Sequence, residues 1–595
     1  MRRALFLSLA FLLTFSISGL AQEWIVVHSP NLQIISDSDA NSSRTALWRL
    51  EQVRTQFGLL MNRKKIHRNR PLLIVGVRNE AELNSFAGGK PTLPGGFAMA
   101  APDRDYLFVD LSEEKDWSAM YRAYTLLLLN ANYPATQPWF DEGVAQTLAG
   151  MNVTEKTASL DAPPEVASTL QRGALLPVSQ LISNDVQQSA EFRATAWLLF
   201  RWLRESNQLD AAAQYFQQVM LQHVAPDQAF EQAFSISPSA LDAALNKFRA
   251  TAAQPKRIDV PVSLDKQTFP SNKLSDVDAA AYKAEFRLEH PNQREQAIAE
   301  LKQLLANNHD NAEVNRGLGI GYLRDGDLKT AADFIRRAIE LNDSSGMMHY
   351  LLAVYYNQGS RGQVQADSAA PTILLQTEKA LNIDPELGDA YALMAEAQIS
   401  MQSPAKAALS MKRALALCPR DQSMLLQFAD VQIANSEFAD AKALLTFLKG
   451  SDNKEVAQRA AAMLVDADKQ KKTESHWATE GYTDPTAPQW KRPAEEKTKL
   501  ASGSDDTPGN SPNKPDPRKV QYLKGTLLNV QCADESATLK VSSGKKTWTF
   551  NVPDRSKALL IGADNFECGW HDVPVSVNFR ASGNASGDIV SLEVD

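Results

Sequence analysis

Cysteine is scarce in this sequence, with three among 595 residues and no Cys-x-x-Cys pair. The absence of such a pair means that the cysteines do not indicate a zinc finger. Long basic runs are also missing and the formal net charge is −8, which argues against a nucleic-acid-binding protein. Apolar residues at 44% and charged residues at 22% are nevertheless ordinary for a folded chain. Because single cores stop growing at roughly 250–300 residues, the length predicts several domains.

Apolar runs that approach about 18 residues, the length needed to cross a bilayer, are absent beyond the N-terminus. There, two arginines precede an apolar run over residues 4–17, and Gly19-Leu20-Ala21 ends it in the pattern of a signal-peptide cleavage site. We therefore predict a signal peptide over residues 1–21, export to the periplasm, the cell envelope or the medium, and no membrane span after cleavage. An uncleaved membrane anchor is the alternative.

Export would place the cysteines in an oxidising compartment, where disulfides form. Cys532 and Cys568 lie in one C-terminal segment, and Cys418 lies far from both in sequence. We expect Cys532 and Cys568 to pair and Cys418 to be a buried apolar thiol. Three reduced cysteines in the core are the alternative.

A recurring pattern of small residues occupies the middle of the chain, at spacings of 34, 42, 34 and 34 residues. Its positions are Ala297, Ala331, Ile373, Ala407 and Ala441. The pattern resembles the tetratricopeptide repeat, in which paired helices approach closely where alanine or glycine lines the contact. The resemblance covers about 279–450 as five repeats and implies an α-solenoid over 279–465. One repeat carries eight extra residues, which we place in a loop near Gly359.

The composition changes abruptly after the repeats. Residues 466–519 contain seven prolines and no Val, Ile, Phe or Met. Such a stretch buries too little apolar surface to offset the entropy of ordering, so we predict a disordered linker. Residues 520–595 then alternate apolar and polar side chains in about five strands, which predicts a small antiparallel β barrel or sandwich.

Residues 22–255 mix helix and strand patterns. An amphipathic helix pattern over 42–61 precedes two short apolar runs, 71–77 and 106–110, that are typical of buried strands. We predict an α+β domain here, followed by a linker over 256–278. The whole chain is thus expected to be multidomain and predominantly α.

Two segments of this N-terminal domain carry a motif, Tyr121–Asn130 (YRAYTLLLLN) and Gln137–Ala145 (QPWFDEGVA). The pair resembles the core of gluzincin-type zinc metallopeptidases, and most closely the peptidase-MA-like domain fused to tetratricopeptide repeats in exported bacterial proteins. In that family one helix carries His-Glu-x-x-His, and a downstream Trp-Phe-Asp-Glu-Gly-like segment supplies a glutamate as third zinc ligand. The resemblance implies a zincin-like fold over about 24–250.

The resemblance places Arg122 and Leu126 at the two histidine positions, Ala123 at the general base and Glu142 at the third ligand. Two histidines four residues apart bind zinc from one helix face, and the glutamate takes a proton from metal-bound water. Arginine, leucine and alanine supply neither function. No displaced pair replaces them, because all eight histidines are at least 19 residues apart. We therefore predict no metal, no other cofactor and no peptidase activity.

A sharper hypothesis concerns the two charged positions. If Arg122 and Glu142 form an ion pair where zinc would bind, guanidinium and carboxylate lie within about 4 Å. The alternative is a solvent-facing arginine and a glutamate that stabilises the start of its helix through the helix dipole.

The sequence thus predicts an exported, non-catalytic binding or scaffold protein, a pseudoenzyme joined to a repeat solenoid. Solenoids commonly bind proteins or peptides along their concave face, and we expect such a partner here. A zinc metallopeptidase with an unrecognised ligand set and a purely structural envelope protein are the alternatives. The partner and the oligomeric state stay open.

Overall fold

Most of the chain beyond residue 22 is described by the computed structural model, in two units that divide at residue 484. The described residues are 23–88, 95–112, 116–173, 175–183, 186–222, 224–342, 344–360, 366–451, 453–480, 518, 520–533, 536–544, 546–553, 555, 560–561, 566–583 and 585–594. The predicted signal peptide over 1–21 lies outside them, as does most of the predicted disordered linker.

The first unit begins with an α+β domain built on a mixed sheet. Its described strands are β1 (Ile25–His28), β2 (Gln33–Ser36), β3 (Leu72–Val77), β4 (Gly96–Ala100), β5 (Asp105–Asp110), β6 (Met151–Val153), β7 (Ala158–Leu160), β8 (Lys256–Ile258) and β9 (Ser271–Lys273). Six of them form one sheet in the order β4-β5-β3-β2-β1-β9, in which β2, β3 and β5 are parallel. β6, β7 and β8 form a small antiparallel sheet.

Helices pack on and around the larger sheet. They are α1 (Ala40–Leu60), α2 (Glu80–Phe86), α3 (Ser118–Asn132), α4 (Pro138–Ala149), α5 (Pro164–Arg172), α6 (Val178–Leu181), α7 (Ala190–Glu205), α8 (Leu209–Phe216), α9 (Pro226–Phe234) and α10 (Pro238–Ala252), with a π-helical turn (Gln217–Leu221) after α8. Successive strand residues point to opposite faces, so Ile34 and Ile74 join the core under α1 and α3. Ile35 and Val75 join a second core on the other face.

The structure corrects the predicted linker over 256–278. Part of it forms β8 and β9, and β9 extends the large sheet by pairing with β1. The side chains of β9 are polar and largely exposed. The sequence pattern therefore resembles that of a linker, although the segment forms an edge strand. The helix that follows, α11 (Asp276–Leu288), packs Tyr282 and Phe286 with Phe108 in the second core. The first repeat helix therefore shares a core with the N-terminal sheet.

Helix pairs then follow one another in a tetratricopeptide-like solenoid. After α11 they are α12 (Pro291–Asn307), α13 (Ala312–Asp325), α14 (Leu328–Leu341), α15 (Gly346–Ser360), α16 (Ala366–Ile383), α17 (Gly388–Ser400), α18 (Pro404–Leu417), α19 (Gln422–Ala434) and α20 (Phe438–Lys449). All five positions of the small-residue pattern lie in the second helix of a pair and are buried. The longer repeat consists of α15 and α16. Gly359, where we placed its extra loop, lies in the last turn of α15, and residues 361–365 lie outside the described residues.

The last helix of this unit, α21 (Lys454–Glu480), corrects the start of the predicted disordered linker at residue 466. Val456 and Ala460 bury the first turns of α21 against α19 and α20. Residues 466–480 continue the helix because Ala, Glu, Lys and Gln have high intrinsic helix propensity. No helix among the described residues has both the length and the apolar character needed to cross a membrane.

The second unit contains a β domain. Its described strands are β10 (Val520–Ala533), β11 (Ser536–Ser543), β12 (Lys546–Val552), β13 (Leu560–Ile561), β14 (Val573–Gly583) and β15 (Ser586–Val594). They are ordered β12-β11-β10-β14-β15-β13, and β12 also pairs with β15, which closes the sheet around a core that includes Leu539, Phe550 and Phe579. Of the two predicted forms, barrel and sandwich, the closed sheet matches the barrel. Cys532 and Cys568 form a disulfide.

Candidate functional site

The two motif segments lie on neighbouring helices of the N-terminal domain. Arg122, Ala123 and Leu126 lie on α3, and Glu142 lies on α4, which packs against α3. Pro138 occupies the first turn of α4, where its fixed φ suits a helix and its missing N–H costs nothing. The buried face of α3 is formed by Tyr121, Tyr124, Thr125, Leu128 and Leu129. The motif positions lie on its half-buried flank.

Arg122 and Glu142 meet in a two-point ion pair. Arg122 Nε donates to Glu142 Oε1 at 2.8 Å, and Arg122 Nη2 donates to Glu142 Oε2 at 2.6 Å. The Glu142 side chain is 5% exposed and that of Arg122 is 20% exposed. Arg122 therefore engages both carboxylate oxygens, at the distance that the ion-pair hypothesis requires.

The surroundings of Arg122 keep its guanidinium charged. Burial lowers the pKa of Arg122, while the hydrogen bonds and the negative charge of Glu142 raise it by more, so the pKa lies above its ordinary value. The guanidinium is thus permanently protonated and donates both of its hydrogen bonds at any physiological pH. A protonated guanidinium has no lone pair for a metal ion.

The other two motif positions are apolar and packed. Ala123 and Leu126 are half-buried and contact the main hydrophobic core of the domain. Leu126 thus adds apolar surface where the resembled family has a ligand. The structure brings together Arg122 and Glu142, and it places Ala123 and Leu126 along the same flank of α3.

Gln146, which no sequence motif singled out, completes this cluster. Its Nε2 donates to Glu142 Oε1 at 2.7 Å, and the residue is buried. The two residues lie one helical turn apart on α4, and this i, i+4 spacing was the available signal.

Gly143 explains how α4 reaches its position. A Cβ added there would lie 2.6 Å from Cβ of Phe200 and 2.7 Å from the carbonyl oxygen of Ala196, both on α7. Such distances are far below van der Waals contact, so only glycine lets α4 and α7 pack this closely. That packing holds Glu142 facing α3.

Metal ligands are not grouped in the described part of the chain: no three His, Cys, Asp or Glu side chains there lie together as a metal site would need.

A buried charge cluster joins the N-terminal domain to the first repeats. Arg316 on α13 donates to Glu285 on α11 at 2.5 and 2.7 Å, and to Asp103, beside β5, at 2.9 Å. The Tyr106 hydroxyl donates to the same Glu285 carboxylate. Burial raises the pKa of Glu285, and the charge of Arg316 opposes this rise. A buried arginine shared between two elements fixes their relative position, because removing any partner would strand a buried charge.

Further ion pairs continue along the solenoid. His67 Nδ1 lies 3.0 Å from Glu386 Oε1, and Arg68 bonds Asp384 at 3.1 Å, both in the loop before α17. Arg420, before α19, extends the series. Its Nη1 and Nη2 lie 2.5 and 2.9 Å from the two carboxylate oxygens of Asp141 on α4, and its Nε donates to the Tyr133 carbonyl at 2.9 Å.

These contacts cover part of the surface of the solenoid, to which a partner is predicted to bind. Five of the solenoid residues that bind the N-terminal domain lie on the first helices of the pairs or in the loops before them: Glu285, Arg316, Asp384, Glu386 and Arg420. Part of the solenoid surface is thus taken by the chain's own domain. Binding of a partner to the concave face stays a prediction.

Cys418 lies at the end of α18 and is buried, with its Sγ against Gly388. Burial raises the pKa of its thiol well above the ordinary value. The thiol is therefore protonated at neutral pH and a poor nucleophile.

No family model and no curated protein matches this sequence. Solved structures do show similarity. The crystal structure of TTC0263, a thermophilic TPR protein in Thermus thermophilus, is 16% identical, covers 32% of this chain and 99% of its own, and has a TM-score of 0.27. Pseudomonas aeruginosa pilF is 17% identical over 34% and 90% of the two chains, with a TM-score of 0.27. The crystal structure of MamA protein is 15% identical over 36% and 100%, with a TM-score of 0.25.

Proposed function

We propose that this chain is an exported, non-catalytic binding protein whose N-terminal domain is a degenerate, gluzincin-like peptidase domain. The observation that supports this most directly is the ion pair between Arg122 and Glu142. In the resembled family these two positions bind one zinc ion together with a second histidine. Here the arginine satisfies the glutamate directly, so the carboxylate needs no cation from solution.

The missing chemistry follows from the side chains themselves. Ala123 has no group that could take a proton from water, and Leu126 has no ligand atom. Hydrolysis of a peptide bond by a zinc enzyme requires a metal-activated water and a base beside it. A domain of this kind contributes shape and surface rather than a reaction.

Binding is the function that the remaining architecture supports. Stacked helix pairs present long surfaces, and proteins with such repeats commonly hold other proteins. The buried cluster around Arg316 joins the N-terminal domain and the solenoid, so the two would act as one binding body.

Metal content and partner capture together test this proposal. The full mature chain, purified from a zinc-supplemented culture, is expected to contain well under 0.1 equivalent of zinc and to leave casein intact. In vivo crosslinking in the producing cells is expected to attach a protein to the full chain. Stoichiometric zinc that disappears in Glu142→Ala, together with proteolysis, would establish the peptidase alternative. A chain that stays in the cytoplasm with residues 1–21 still attached would contradict export.

A further inference from the structure

A large apolar groove separates the end of the solenoid from the N-terminal domain. Its volume is about 970 Å³, at the upper end of the 300–1,000 Å³ typical of ligand sites. One wall is α8 and the π-helical turn after it, and the other is formed by α19 and α20. The main apolar residues of the lining are Leu60, Tyr133, Phe140, Leu209, Phe216, Met220, Leu425, Leu444 and Phe447.

The α8 wall has the form of a helix-binding surface. Leu209, Ala213, Phe216 and Met220 line the groove at spacings of three and four residues, which is one face of a helix. From Leu209 to Met220 this face is roughly 16 Å long, about three helical turns. Ala213 in its middle leaves room for a second helix to approach, while Phe216 is held in place against Trp139 and Phe140.

The groove also has a charge pattern. Arg63 donates to the Asn132 carbonyl at 2.7 Å and stacks its guanidinium 4.7 Å above the Tyr133 ring. Among the residues that the structure describes, no carboxylate forms an ion pair with it. Asp210, in the first turn of α8, likewise has no cationic partner in the described part of the chain. The lining therefore offers one cation and one carboxylate to a ligand.

We propose that this groove binds an amphipathic helix of a partner protein. The helix would place leucine- or phenylalanine-sized side chains at i, i+3 or i+4, and i+7 against the groove, as helices in apolar grooves do. An acidic residue would meet Arg63, and a basic residue would meet Asp210. The proposal rests on the proposed function, since both take the chain to be a protein-binding protein, and it names the surface and the chemistry of the partner.

The groove requires both parts of the first unit. Arg420 lines it and holds the α3–α4 connection through Asp141 and the Tyr133 carbonyl. The contact ties α4, whose Phe140 packs against Phe216 of the α8 wall, to the loop before α19. Fragments that carry only the N-terminal domain or only the repeats would lack the site, so the full chain is the right material for the test.

The probe is a labelled, capped 15-residue peptide with a leucine and phenylalanine stripe, one glutamate at one end and one arginine at the other. Fluorescence anisotropy is expected to show saturable binding to the full mature chain and at least tenfold weaker binding to Phe447→Glu. The matched control is Leu409→Glu, at an exposed leucine of α18 outside the groove, which should change Kd less than twofold. Arg63→Glu, an exposed change that leaves the core intact, should weaken binding about two- to fivefold, as for rim ion pairs. A peptide with lysine in place of its glutamate should restore the affinity of the Arg63→Glu variant.

Several results would overturn the proposal. They are no binding by the wild-type chain, equal binding by Phe447→Glu and wild type, or no effect of charge reversal. Binding that appears only after deletion of residues 481–517 would assign the groove to the chain's own linker instead. If in vivo crosslinking captures the same protein with wild type and Phe447→Glu alike, the proposed binding function stands and this groove is not its site.

Discussion

Arg420 in the solenoid and Asp141 in the N-terminal domain form a two-point ion pair, with Nη to Oδ distances of 2.5 and 2.9 Å. Asp141 immediately precedes Glu142, the partner of Arg122. The pair thus ties α4 to the loop before α19. The same arginine also holds the Tyr133 carbonyl at the end of α3.

Removing this arginine should loosen the domain contact. Arg420→Ala is expected to lower the free energy of unfolding of the first unit by about 1–3 kcal/mol, the range for hydrogen bonds to charged groups. Amide hydrogen exchange should accelerate in the first turn of α4. Arg336→Ala is the matched control, because its pair with Asp333 is exposed on the solenoid and should contribute less than about 0.5 kcal/mol. Equal effects of the two variants would show that the Arg420 contact does not join the domains.

Arg122 and Glu142 should stabilise the fold more as a pair than as separate residues. Arg122→Met leaves the Glu142 carboxylate buried with only Gln146 as partner, and we expect a loss of about 2–4 kcal/mol. The double variant Arg122→Met with Glu142→Met should lose less, because no charge is stranded. Urea denaturation of the three proteins measures this coupling. A double variant less stable than the single one would show that the carboxylate is satisfied without Arg122.

If the proposed zincin-like arrangement is right, completing the His-Glu-x-x-His motif should create a zinc site. The triple variant Arg122→His, Ala123→Glu, Leu126→His places two imidazoles four residues apart on α3, facing Glu142. We expect about one equivalent of zinc by metal analysis, with a dissociation constant far below that of the wild type. Adding Glu142→Ala to the triple variant should abolish zinc binding. A folded triple variant that binds no zinc would contradict the zincin-like arrangement of α3 and α4.

The raised pKa of Glu82 predicts that the free energy of unfolding falls as the pH rises. Burial, a shared hydrogen bond with Asp37 and the charge of Asp37 raise the pKa of Glu82 to about 7, from an ordinary 4.5. Because the folded state holds this proton more tightly, the associated stability is complete below pH 4.5 and is lost as the pH rises to about 7. Denaturation midpoints measured from pH 4.5 to 8 should fall more steeply for wild type than for Glu82→Gln. Parallel curves would mean that Glu82 titrates normally.

The disulfide should stabilise the β domain alone. Cys532 and Cys568 are 36 residues apart in sequence, and closing a loop of that size in the unfolded chain is worth about 4 kcal/mol. Cys532→Ser in the full chain should therefore lower the melting temperature of the β domain and leave that of the first unit unchanged. Cys418→Ser serves as the control and should not affect the β domain. An unchanged β-domain transition in Cys532→Ser would show that the bond is not formed in solution.

Local periodicity determined much of this fold in advance. The 34-residue spacing from Ala297 to Ala331, and again from Ile373 to Ala407 and Ala441, predicts helix pairs, because small residues recur where two helices touch. The alternation in 520–595 predicts strands in the same way. Residue types at single positions were equally informative about chemistry. Arg122, Ala123 and Leu126 lack the ligand atoms and the base that the His-Glu-x-x-His motif supplies, whatever the fold.

Composition was a weaker guide at the edges of domains. A linker was predicted over 256–278, where β9 extends the N-terminal sheet by pairing with β1 and α11 begins. Composition predicted that order ends at residue 466, whereas α21 continues to Glu480. In both places the sequence is largely polar, and backbone pairing with β1 or a helical hydrogen-bond ladder supplies the order.

The sequence alone determined the elements, the repeat period and which chemistry the motif positions cannot perform. Only the tertiary structure decided which distant residues meet: Arg122 with Glu142, Arg316 with Glu285 and Asp103, and Arg420 with Asp141. The physical reason is that period and propensity act over a few residues, whereas these pairs are separated by 20 to 279 positions. Packing of the folded chain brings these partners together, because a charge buried without an opposite charge beside it costs free energy.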